Sequence, residues 1–61
     1  MGAYTGFDMW REYCAKYGAE DARRICNSYL DMQGRLFATD DGKRENAEEY
    51  AFCCELFRAM N

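Results

Sequence analysis

Only Thr5, Ile25 and Thr39 are β-branched in this chain, and it contains neither valine nor proline. Strands draw on β-branched residues and helices are broken by proline, so a sequence poor in the first and free of the second is pressed toward helix throughout. Alanine, glutamate, arginine, methionine and leucine supply the remaining helix formers. Glycines punctuate the chain. Gly6 precedes the first periodic segment, Gly18 and Gly34 follow the first and second, and Gly42 precedes the third. These are places where helices start or end in a left-handed cap.

Stepping 100° per residue from 7 to 17 puts Phe7, Trp10, Tyr13, Cys14 and Tyr17 on one stripe and Asp8, Arg11, Glu12 and Lys16 on the other. The segment from about 20 to 33 repeats the design. Ala22, Ile25, Cys26, Tyr29, Leu30 and Met32 face inward there, and Glu20, Arg23, Arg24, Asn27 and Asp31 face outward. Gly18 and Ala19 leave so short a connection that the two segments are expected to form an antiparallel helical hairpin. Cys14 and Cys26 are equidistant from residue 20, so they should lie near each other at its turn end.

Arg35 to Thr39 is read as an extended linker whose Leu36 and Phe37 cover the core, with a short β-hairpin through residues near 43 to 46 as the alternative. A longer third helix is expected over about 44–60, starting within 41 to 46 and capped by Asp41 or by Asn46. Glu49 lies three residues beyond Asn46, as in a capping box. The expected architecture is therefore an all-α, three-helix single domain over residues 1–61.

Sixty-one residues bury only about 60% of the surface that the unfolded chain exposes, which leaves little room for a deep cleft. Ten aromatic rings supply the large areas a small core needs. The longest apolar run, Tyr50 to Cys54, is far short of the roughly 20 residues that span a bilayer, and no basic segment precedes an apolar one near the start. A cytoplasmic protein without a membrane partner is expected. Cys14, Cys26, Cys53 and Cys54 are then reduced thiols acting as small buried hydrophobes.

Residues 1 to 39 carry five acids and five bases, while residues 40 to 61 carry six acids and three bases, so the net charge of −3 arises entirely in the last third. That balance disfavours direct contact with nucleic-acid phosphates, which calls for clustered cations. The chain has no histidine, no Cys-x-x-Cys and no phosphate-binding or nucleophile-elbow motif. A catalytic base, a zinc site and a cofactor are accordingly not expected.

The third helix holds the candidate functional residues. Its main apolar stripe is Ala47, Tyr50, Cys53, Cys54, Phe57 and Met60, expected to face the core. Phe52 and Leu56 point about 100° or more away, among Glu45, Glu48, Glu49 and Glu55. Glu45 and Glu49 also stand i,i+4 with like charge, which costs an isolated helix stability. Phe52 and Leu56 thus read as an apolar anchor ringed by carboxylates, matched to a larger protein with a basic surface. The expected role is that of a non-enzymatic regulator or inhibitor acting by occlusion. The competing reading of the same residues is that the linker covers them as part of the core.

In size and charge alone, such a chain is similar to the small acidic phage and mobile-element products that disable host defence, anti-CRISPR and antirestriction proteins among them. Their partners are nucleic-acid-handling proteins. The alternatives are a homodimeric scaffold joined through Phe52 and Leu56, or a switch built on cysteine zinc or redox chemistry.

Overall fold

The computed structural model describes residues 2–61, which form four α-helices and no strand. The helices are α1 (Gly6–Tyr17), α2 (Ala19–Gly34), α3 (Asp40–Glu45) and α4 (Ala47–Met60), with a 3₁₀ turn at Arg35–Phe37 before α3. The all-α class and the first two helices stand as expected. The third expected helix is two helices.

A capping box starts α1. The Thr5 hydroxyl accepts from the Asp8 N–H at 3.2 Å, and the Asp8 carboxylate accepts from the Thr5 N–H at 2.9 Å. The Thr5 N–H, and then the Thr5 hydroxyl donating to the same carboxylate at 3.0 Å, hold the Asp8 carboxyl below its ordinary pKa. α1 and α2 meet at Gly18, whose φ of +89° and ψ of 155° fall in a region essentially restricted to glycine. One residue therefore ends one helix and starts the next.

Gly34 does not take the expected left-handed cap. Its φ of −56° and ψ of −25° are helical, and the chain runs on into the 3₁₀ turn instead of an extended linker. The Thr39 hydroxyl, not Asp41, caps α3 by accepting from the Gly42 N–H at 3.0 Å. Gly42 lies inside α3 against the 3₁₀ turn, where an added Cβ would strike the Leu36 carbonyl.

Asn46 divides α3 from α4. Its side-chain amide and its backbone N–H both donate to the Gly42 carbonyl, at 2.9 and 3.0 Å. The side chain is thus spent on the end of α3, and the expected capping box with Glu49 is not made.

The core is built from Met9, Cys26, Leu56 and Met60, flanked by half-buried Trp10, Tyr13, Tyr29, Leu30 and Phe52. α1 lies most extensively against α4 and next against α2. The facing side of α1 is Gly6, Met9 and Tyr13, so Phe7 and Tyr17 are left exposed where the periodicity had placed them inward. Gly6 accounts for this rotation: its bare Cα lies against the backbone of Phe52 and Leu56, a closeness no other residue of the stripe permits. On α2 the expected inward face holds except at Met32, which is exposed.

The molecule is flat, with extents of 35 × 28 × 15 Å. α1, α2 and α4 contact one another around one small core, and the narrow dimension limits how much of each can be buried.

Candidate functional site

α4 is apolar on more than one side, and the structure buries the boundary between them: Cys53 and Met60 of the main stripe and Leu56 of the second. Leu56 is 0% exposed at the centre of the core. It therefore cannot belong to a surface anchor, and that assignment is corrected. Phe52 is half-buried: it packs on the core, stacks on Tyr4 at 6.0 Å and meets the edge of Tyr29 at 6.0 Å. The enclosing element is the N-terminal segment before α1, not the linker, which never reaches this side.

The carboxylates divide by duty. Glu49 accepts a short hydrogen bond from the Tyr29 hydroxyl. Burial, and then this carboxylate, drive the phenol of Tyr29 far above its usual pKa. Glu55 accepts from the Gly6 N–H at 3.2 Å, so it satisfies a free donor at the positive end of α1. Both thus serve the fold, and the like-charged pair Glu45 and Glu49 does not stand on one helix, because the break at Asn46 separates its members. Glu45 and Glu48 are exposed, and Glu45 closes α3 rather than standing on the long helix. The ion pairs among the described residues are Arg11–Asp8, Arg24–Asp21 and Arg44–Asp41, and none engages these four glutamates.

Glu48, Glu49, Phe52 and Glu55 nevertheless converge with Tyr4 on one groove of about 480 Å³ between the N-terminal segment and α4. Glu45 lines the adjoining hollow with Glu48 and Glu49. Tyr4, 54% exposed, takes the place expected of Leu56 as the accessible apolar surface. Sequence reasoning missed Tyr4 because it precedes the first helix and belongs to no periodic stripe.

Tyr50 and Phe57, expected in the core, are instead 39% and 61% exposed on the opposite side of α4. They line an apolar groove of about 330 Å³ with Leu30, Phe37, Cys54 and Arg58, and the Phe37 and Tyr50 rings meet edge to face at 5.1 Å.

The chemistry open to the acidic groove is cation recognition. Aromatic faces attract an ammonium or guanidinium electrostatically, and carboxylates complete its hydrogen bonding. Cys14, Cys26, Cys53 and Cys54 are free thiols. Burial raises the Cys53 thiol to about 11 and also raises Cys26, with Cys14 a secondary cause for the latter. Among the described residues no group of three or more Cys, Asp or Glu side chains is disposed to hold a metal ion. No helix among them is long and apolar enough to cross a membrane. No protein-family model, curated protein or solved structure matches this chain.

Proposed function

We propose that this chain is a non-enzymatic, protein-binding regulator that works in the cytoplasm by occluding a basic surface on a larger protein. A basic segment of that partner lies in the groove between the N-terminal segment and α4, with an arginine or lysine side chain over Tyr4 and Phe52. The carrying observation is the convergence of Glu48, Glu49 and Glu55 on an aromatic surface that no cation of the chain's own occupies among the ion pairs described. The net charge of −3 favours a basic protein over a nucleic acid. Aromatic contact adds to charge attraction here, because a cation held against a ring is partly desolvated and worth about 1–2 kcal/mol more.

An arginine-rich peptide titrated into labelled protein tests the proposal by amide chemical-shift mapping. Shifts are expected at Tyr4, Ala51 and Phe52, weakening with added salt. Glu45→Lys with Glu48→Lys should reduce affinity at least about tenfold, since each reversal swaps attraction for repulsion at the groove edge. Peptide binding that ignores this double reversal, or that maps elsewhere, refutes the reading.

A further inference from the structure

The face of α4 opposite the acidic groove carries Ala47, Tyr50, Cys54 and Phe57, spaced three and four residues alternately. That is the a/d spacing of a helix-pairing seam. None of the four is fully buried by the chain's own fold, and Phe57 stands 61% exposed. Beside the seam lies the apolar groove formed by Leu30, Phe37, Tyr50 and Cys54. We propose that a second copy of this chain covers this face, the two α4 helices packing antiparallel about a twofold axis with the Phe57 ring of each copy against the groove of the other.

Three features select a second copy as the occupant. The first is area. The accessible surface is 4639 Å², whereas compact chains of 7.2 kDa average about 4,100 Å². Hiding an area of about 500 Å² on each copy removes about 1,000 Å² in total, the lower bound for a specific interface.

The second is charge. α4 carries Glu48 and Glu49 in its first turn and Arg58 in its last. Antiparallel pairing opposes the two helix dipoles favourably, while Glu48 and Glu49 stay on the side of the acidic groove. The third is one-sided cover. α1 and α2 pack on one side of α4, and pairing covers the side that leaves Tyr50 and Phe57 exposed. The acidic groove lies on the other side of α4 and stays open in such a dimer, so its proposed role neither requires nor forbids the pairing.

Sedimentation equilibrium in reducing buffer, from about 10 μM to 500 μM, reads the outcome. Wild type is expected to approach the mass of two 7.2 kDa chains, and Phe57→Glu to halve that mass while keeping its helical circular dichroism. Phe57→Ser serves the same end if the charged variant does not fold. Phe7→Glu alters an exposed ring on α1 and should stay dimeric. A wild type that is monomeric at 500 μM, a dimer indifferent to both Phe57 variants, or an open ladder of higher masses would each overturn the proposal. Titrating the arginine-rich peptide into the Phe57→Glu monomer separates the two surfaces: its binding there is expected to match wild type.

Discussion

Gly6→Ala should be among the most damaging single-methyl changes available to this fold. The added Cβ would run into the backbone nitrogen of Leu56 and the backbone oxygen of Phe52, and it would lie 2.8 Å from the Glu55 Cβ. Backbone atoms inside a helix cannot step aside, so α1 as a whole must retreat from α4. A gap of about 1 Å between packed surfaces forfeits up to about half of the dispersion energy across it. The contact affected is the most extensive between helices and includes Met9 against Leu56 and Met60. The retreat also stretches the bond from the Gly6 N–H to Glu55.

Overpacking alone costs about 1–3 kcal/mol, and the loosened α1–α4 contact carries the total to about 3 kcal/mol or more. Sixty-one residues support a stability of only about 3–9 kcal/mol. Thermal melting followed by circular dichroism should therefore fall by more than about 10 °C. Gly34→Ala is the control. Its backbone is helical and its Cβ meets open space, so the same methyl should stabilise the fold by about 0.5–1 kcal/mol. A Gly6→Ala protein that melts within about 2 °C of the parent would refute the close approach.

Phe52→Ala should cost about 2–3 kcal/mol in urea denaturation, because the ring is wedged between Tyr4, Tyr29 and the core; a surface anchor would cost almost nothing. Alkaline pH should destabilise the fold through Cys53, whose buried thiol resists ionisation until about 11 while the unfolded thiol ionises near 9.0. Its contribution is fully present below pH 9 and is lost as pH rises toward 11, because the unfolded state releases the proton first. Melting temperature should fall across that window, and Cys53→Ala should flatten part of the fall. Tyr29, with its raised phenol, acts in the same direction at the upper end. A slope that Cys53→Ala leaves untouched would remove Cys53 from the account.

Composition carried the fold class, because scarce β-branched residues and absent proline leave helix as the one economical backbone. The glycine at 18 marked the first helix junction correctly for the same local reason, a backbone angle few residues tolerate. Helix rotation was not legible. Trp10 and Tyr13 of the apolar stripe of α1 do pack on the core, yet Phe7 and Tyr17 are left exposed as the helix turns Gly6 and Met9 toward α4, because the approach distance is set by the smallest residue rather than the oiliest. α4 poses the same problem more acutely. Tyr50, Phe52, Cys53, Cys54, Leu56, Phe57 and Met60 cover much of its circumference, so periodicity offers two faces and no rule for ranking them. Asn46 misled for a different reason: one amide suits either the end of α3 or the start of α4, and only the tertiary path of the chain decides.

The division of duty among the glutamates determines how the binding surface is to be separated from the fold. Glu49 holds the Tyr29 hydroxyl and Glu55 holds the first N–H of α1, so reversing either charge strips a part-buried donor of its acceptor. A loss of partner binding in those variants would carry no information about the surface, since a loosened groove binds poorly whatever it recognises. Glu45 and Glu48 touch water and have no ion-pair partner among those described, so their charges can be inverted at a cost of about 1 kcal/mol, most of it from Glu48 in the first turn of α4. They alone report on recognition. The like-charged pair that pointed to function in the sequence is divided by the helix break at Asn46: Glu49 is kept by the core, and Glu45 closes α3 with its charge free to meet a partner.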